Sequence, residues 1–229
     1  SGRSSFIADI SQPGMWEIAF LRSPVAHANI LSVTKPEGFE QRVFLLSDLG
    51  DIRPIQADSQ AKGFRRSDYP ALAYPPIHPG WGDNLFLETS IDVGDVDAAR
   101  AKAAVSLTRQ YRMNRQAIVS LEGRGVMSYI DERTGELVVY SSTQFPHVIR
   151  TALAHCLNMQ ERELRVVAPE VGGSFGVKNN LNPEEIAIAA LAKKIRKPIR
   201  WVEDRREHLI ASPHAREHRY EVTVHADKD

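Results

Sequence analysis

A chain of 229 residues holds one large or two small domains, and 42% apolar with 25% charged residues is an ordinary globular composition. Lys plus Arg (29) balance Asp plus Glu (29), which argues against a general nucleic-acid binder, since such a protein carries a basic excess. No apolar run reaches the length of a membrane span, and Cys156, the single cysteine, leaves neither an internal disulfide nor a cysteine-built metal site.

Residues 6–10 lead into a turn at Pro13-Gly14, and 15–21 alternate as a strand. A second strand is expected over 30–33, a turn at Pro36-Glu37-Gly38, and a short buried strand over 43–46. From about 53 to 84, proline and glycine recur too often for a helix, and about 25 residues without period is long for a loop, so this stretch reads as an extended linker. Asp95 caps a short helix to 102, and 104–113 form a long strand. Residues 126–130 and 137–141 pair as a hairpin across 131–135. Pro146 starts a helix to about 157, with Val148, Ala152 and Cys156 on its apolar face. On that face Cys156 reads as a buried, inert thiol. A strand over 163–168 feeds a glycine loop. Asn182, Pro183, Glu184 and Glu185 then supply the cap, first position and acidic first turn of a helix over 183–195, with Ile188, Leu191 and Ile195 on one face. Lys193, Lys194 and Arg196 suit its negative end, and Pro198 stops it. Strands follow at 199–202 and 220–226, with a short helical segment opened by Asp204 between them. No period of 20–50 residues repeats. The pattern is α+β.

The glycine loop, Gly172-Gly-Ser-Phe-Gly-Val-Lys178, carries the chemistry. Strand, glycine loop and helix start present bare backbone N–H groups to an anion or oxo group. The spacing fits neither a P-loop nor a dinucleotide fingerprint. The plain alternative is a tight turn that needs positive φ at its glycines. Phe175, a large apolar residue in a bare loop, either caps a pocket or anchors the loop in the core.

This loop resembles the Gly-Gly-x-Phe-Gly-x-Lys loop of the molybdenum hydroxylases, the xanthine dehydrogenase and aldehyde oxidase family. Val139-Tyr-Ser-Ser-Thr-Gln-Phe-Pro-His147 is similar to the family's Ser-Thr-Gln-x-Pro stretch. The segment from Lys197 to His208, with His214 and Arg216, the segment Arg115-Gln116 with Leu121-Glu-Gly-Arg-Gly125, and residues 14–30 also match, in the family's order. The resemblance implies a shortened, α/β-hammerhead-like N-terminal domain over 1–88 and the first part of a molybdopterin-binding α+β domain over 89–229.

The resemblance also implies roles. Gly172, Gly173, Ser174, Phe175 and Gly176 would face a molybdopterin carrying molybdenum, in its cytosine dinucleotide form. Phe175 would shape the substrate pocket, Gln116 would hydrogen-bond an oxygen ligand of the metal, and Gln144 would lie near the pterin. Amide donors suit such oxygens because they carry no titrating charge. On residue type alone, Gln116 reads as a surface or strand-pairing glutamine and Gln144 as a helix-entry hydrogen bond. The implied activity is hydroxylation of an N-heteroaromatic or aldehyde substrate with water as oxygen source. Iron–sulfur clusters and FAD would sit on partner subunits, since cysteines for clusters are lacking here.

Three departures qualify the match. The family's catalytic glutamate belongs to a later part of the large subunit, so the chain is expected to be an N-terminal fragment that is inactive alone, with the remaining part of that subunit as a partner. Asp58-Ser59 and residues 81–88 match family positions that are normally further apart. Asn179 stands where some members place a purine-binding glutamate. A carbon monoxide dehydrogenase-type fragment and a non-catalytic interaction module with the same fold are the alternatives. The opening residues do not read as a secretory leader, and a cytoplasmic location is expected.

Overall fold

A computed structural model describes residues 4–25, 28–53 and 89–228. The extended linker expected near 53–84 and the boundary expected at 88 fall almost wholly outside these residues. Chain contacts define two units: one of Ser1–Ile55 with Asn114–Glu217, the other of Gln56–Met113 with His218–Asp229.

The first unit is built on a five-stranded sheet, in the order β1-β7-β4-β5-β6. Its centre is the predicted hairpin, β4 (Gly125–Ile130) and β5 (Leu137–Ser141), paired Val126 to Ser141 through Ile130 to Leu137. The turn closes through Gly135, whose φ of 75° is the left-handed conformation that glycine adopts without strain. β6 (Leu164–Val167) lies parallel to β5. β7 (Ile199–Val202) lies antiparallel to β4, and β1 (Trp16–Glu17) lies parallel to β7. The parallel steps need crossovers, which two helices supply. α2 (Pro146–Cys156) joins β5 to β6, and α3 (Pro183–Ile195) precedes β7. Val126, Leu137 and Val139 of the sheet pack with Ile149, Leu153, Ile188, Leu191 and Trp201 in one core.

Both helices follow their start signals. Proline occupies the first turn of each. At α3 the Glu185 carboxylate accepts the Asn182 N–H at 2.8 Å, while the Asn182 side chain donates to Asn180 O instead of capping the first turn. The face of α2 differs from expectation. Ile149, Leu153 and Cys156 are buried and Val148 is exposed. The i, i+4, i+7 stripe therefore begins one residue later, on the larger Ile and Leu side chains. Cys156 is buried, and burial pushes its thiol pKa up, as suits an inert packing residue.

The N-terminal strands require correction. Residues 30–33 form no strand, and Ile30 and Leu31 are 81% and 94% exposed. Residues 43–45 are irregular, and Leu46–Leu49 is a turn of 3-10 helix. The strand expected over 15–21 keeps only Trp16–Glu17. Alternation predicts a strand only where a partner offers backbone groups, and among the described residues only this pair reaches one.

The second unit pairs β2 (Val105–Arg112) with β9 (Arg219–Ala226), antiparallel over eight residues. Thr108 Oγ1 meets Thr223 Oγ1 at 2.9 Å, and Gln110 donates to Glu221 at 3.0 Å. α1 (Val96–Lys102) is capped by Asp95, whose carboxylate accepts the Ala98 N–H at 2.8 Å. Asp95→Ala is expected to destabilise this helix by about 1 kcal/mol, seen as faster amide exchange over 96–102 alone. No helix among the described residues is long and apolar enough to cross a membrane.

Candidate functional site

The glycine loop leaves β6 and runs to the cap of α3. Gly173 and Gly176 have φ of 93° and 102°, so the conformation itself calls for glycine there. Phe175 holds φ of 51°, an uncommon setting for a bulky residue. It is 74% exposed, so it does not anchor the loop in the core. Its ring instead lies against Gly173, where an added Cβ would meet Phe175 Cε2 at 3.1 Å.

The loop's outgoing leg is fixed internally. Ser174 O accepts the Val177 N–H at 3.0 Å, and Ser174 Oγ accepts the Lys178 N–H at 3.1 Å. Among the described residues, the N–H groups of Gly173, Ser174, Phe175 and Gly176 find no acceptor. The Gly172 N–H differs: it donates to Glu122 Oε2 at 2.8 Å. The loop thus offers a run of four bare amides with no carboxylate among its own side chains.

Lys178 closes the loop. Its ammonium is 1% exposed and donates to Glu122 Oε2 at 2.7 Å. Burial pulls its pKa below the usual lysine range, against the pull of Glu122. Lys178 O accepts the Gln144 N–H at 3.1 Å and the Thr143 hydroxyl at 3.2 Å. Gln144, an exposed residue just before α2, is therefore tied to the loop through its backbone. Gln116 sits elsewhere. It lies exposed in β3 (Arg115–Gln116), opposite Ala215 of β8 (Ala215–Arg216), and no hydrogen bond among the described residues joins it to the loop. The structure brings Gln144 together with residues 172–178 and shows no such link for Gln116.

A buried ion cluster stands at the ends of β4 and β7. Arg124 reaches Glu203 Oε1 at 2.6 Å and Glu184 Oε2 at 3.0 Å, and its N–H donates to Glu203 Oε2 at 2.9 Å. Burial opposes both charges, but the mutual hydrogen bonds prevail: Arg124 is raised, and Glu203 is held below the usual carboxylate range. His208, buried in α4 (Arg205–Ala211), places Nδ1 2.8 Å from Glu203 Oε2 and Nε2 2.5 Å from Ile118 O. A carbonyl only accepts, so Nε2 carries a proton. Arg205 Nη2 donates to Ser120 O at 2.5 Å and to Leu121 O at 2.9 Å. Residues 118–122, which flank the loop, are thereby held from α4. In the sequence, Glu122, Arg124, Glu203 and His208 stand out only as parts of segments that match the family. The available signal was a charge set directly at the end of an apolar strand, Arg124 before Val126 and Glu203 after Val202.

Glu185 is a separate case. Burial pushes its carboxyl above the usual range, against hydrogen bonds from Ser141 and Asn182. A raised folded pKa contributes stability at low pH that is lost as pH rises through it. The chain is thus expected to lose about 1.4 kcal/mol per pH unit above the usual carboxyl range until Glu185 ionises. Glu185→Gln removes that slope, which urea midpoints measured across pH will show.

Residues 77–229 match the family model described as the molybdopterin cofactor-binding domain. The chain is 36% identical, over 99% of its length, to subunit gamma of the 6-hydroxypseudooxynicotine dehydrogenase complex of Paenarthrobacter nicotinovorans, of which it covers 36%. It is 27% identical, over 95% of its length, to the nicotine 6-hydroxylase large subunit of the same organism, of which it covers 33%. Among solved structures, quinoline 2-oxidoreductase from Pseudomonas putida 86 aligns with a TM-score of 0.54 and 31% identity over 58% of this chain and 17% of that one. The chain spans about a third of the two curated relatives. The alignment to subunit gamma runs over 286 positions against 229 residues here, so dozens of that relative's residues have no internal counterpart. The matched stretch takes in the glycine loop, the Gln144 turn and the ion cluster, and the chain belongs to the molybdopterin cofactor-binding domain family as the molybdopterin-binding portion of a molybdenum hydroxylase large subunit.

Proposed function

We propose that this chain supplies the cofactor-facing loop of an enzyme that hydroxylates an N-heteroaromatic substrate with water as oxygen source. The observation that carries the reading is the run of bare amides from Gly173 to Gly176, beside a glutamine turn and with no carboxylate among the side chains of 172–178. This donor set fits molybdopterin with molybdenum: uncharged N–H groups orient oxygen ligands or an anionic group without adding a titration. When bound, the group supplies the two-electron chemistry that inserts oxygen from water into a C–H bond.

The chain's own part is orientation. The amides of Gly173, Ser174, Phe175 and Gly176 would hold the group, with Gln144 of the α2 turn as a further donor. Gln116, exposed in β3, would hydrogen-bond an oxygen ligand of the same group. Phe175, exposed and strained, projects a flat apolar face that excludes water and packs on an aromatic substrate. Relatives named for nicotine and quinoline favour an N-heteroaromatic over an aldehyde. Family membership and the amide run favour this reading over a non-catalytic module. The cytosine dinucleotide form of the cofactor, iron–sulfur and FAD partner subunits, and a cytoplasmic location belong to the same proposal. So does a shortened hammerhead-like N-terminal region, which the long alignment supports.

The test is turnover of an N-heteroaromatic compound by the intact enzyme in isotopically labelled water. The label is expected in the product, with molybdenum present in the protein. Product oxygen drawn from dioxygen, or protein purified free of molybdenum and pterin, would sink the proposal.

A further inference from the structure

We propose that Glu122 is a positioning residue that latches both ends of the glycine loop to one carboxylate oxygen and so sets which amides face the ligand; the ligand's identity rests on the proposed function above. Glu122 lies 50 residues before Gly172 and 56 before Lys178. Three contacts converge on it. The Glu122 N–H donates to Gly172 O at 3.1 Å, and the Gly172 N–H donates to Glu122 Oε2 at 2.8 Å. Lys178, six residues on, donates its buried ammonium to that same oxygen at 2.7 Å. The loop is thus pinned at its first and last residues, and what lies between is left to project.

Backbone packing points to the same arrangement independently. A Cβ at Gly172 would lie 2.5 Å from Glu122 Cβ and 3.3 Å from its nitrogen, a spacing that only glycine permits. The segment bearing Glu122 is itself held. Ser120 Oγ donates to Glu122 O at 2.7 Å, Arg205 holds the two preceding carbonyls, and a Cβ at Gly123 would lie 2.6 Å from Glu203 O. A latch needs such an anchored base to transmit position.

Two consequences follow for the site. The Gly172 amide is spent on the latch, so the ligand-facing set begins at Gly173. Lys178 also neutralises Glu122, which would otherwise set an unpaired negative charge beside amides built to receive an oxyanion.

The test uses the intact enzyme and compares Glu122→Ala with Glu122→Gln, reading amide exchange and molybdenum per protein. Gln keeps the side-chain length and an acceptor for Gly172; Ala keeps neither. In Glu122→Ala, exchange of the Gly172, Val177 and Lys178 amides, the loop N–H groups that have acceptors, is expected to rise about tenfold or more, with β4, β5 and α3 unchanged and molybdenum reduced by a similar factor. Glu122→Gln restores most of both. If Glu122→Ala is recovered only unfolded, Lys178→Met frees the far end alone and is expected to raise exchange of the Val177 and Lys178 amides. Unchanged loop exchange, a rise spread over the whole sheet, or a Gln variant as impaired as Ala overturns the latch. Wild-type enzyme that lacks molybdenum yet shows the same exchange pattern would leave the latch standing and remove only the cofactor reading.

Discussion

Arg124→Met is expected to destabilise the first unit by about 3–5 kcal/mol, because it strips two buried carboxylates of their shared partner. Arg124 is only 5% exposed, and Glu184 and Glu203 are buried with it. Arg22, at 2.5 Å from Glu184 Oε1, and His208, at 2.8 Å from Glu203, remain, but neither replaces the forked contact across both acids. Urea unfolding read on the sheet is the measurement. Adding Glu184→Gln and Glu203→Gln to Arg124→Met is expected to recover part of the loss, since uncompensated charge outweighs the missing arginine contacts. A triple variant no more stable than the single one would show that packing against Trp201, whose ring lies 5.5 Å from the guanidinium, carries the effect instead. The cluster also fixes an acid limit. Glu203 has a folded pKa below its unfolded one, so its contribution is present above the unfolded value and is lost as pH falls through the folded one.

Gly172→Ala is the second large effect, and it falls on the loop. The new Cβ would sit 2.5 Å from Glu122 Cβ, far inside ordinary contact, and the opposing atom is close to the backbone and cannot swing away. Relief comes only by moving the loop off Glu122, which breaks the Gly172–Glu122 pair of hydrogen bonds. Overpacking of this kind costs about 1–3 kcal/mol, enough to lower ligand occupancy about tenfold. Molybdenum analysis of the intact enzyme checks it, with Gly135→Ala as the comparison. That turn glycine has open space and a φ of 75°, whereas Gly172 has no positive φ, so the Gly135 variant carries backbone strain without the clash. Equal loss in both variants would refute the close-approach argument.

Much of both units was legible because local signals agreed with the tertiary outcome. Asp95, Pro146, Pro183 and Asp204 mark helix starts by chemistry that acts within one turn. The hairpin 125–141 was legible because its alternation meets a turn that glycine closes. The glycine loop showed itself through Gly173 and Gly176, whose positive φ few other residues tolerate. What stayed hidden depends on distant partners. Glu122 gains its place only when residue 172 arrives beside it, and nothing within a few residues of Glu122 announces that. The strand expected at 30–33 failed for the converse reason: its residues favour a strand, but no described neighbour pairs with it. Phe175 could not be assigned to core or surface from sequence, since apolarity alone favours the core and a bare loop favours exposure.

The parallel pairing of Trp16 with Ile199 sets an order of assembly. Trp16–Glu17 is made long before its partner β7, and it has nowhere to dock until β7 has followed. Through that interval β7 is either unborn or flanked by β4 on one side alone, and its other rim shows unpaired backbone groups to any passing strand. Removing Trp16–Glu17 would make that vulnerable interval permanent, turning a transient nascent-chain hazard into a standing seed for self-association.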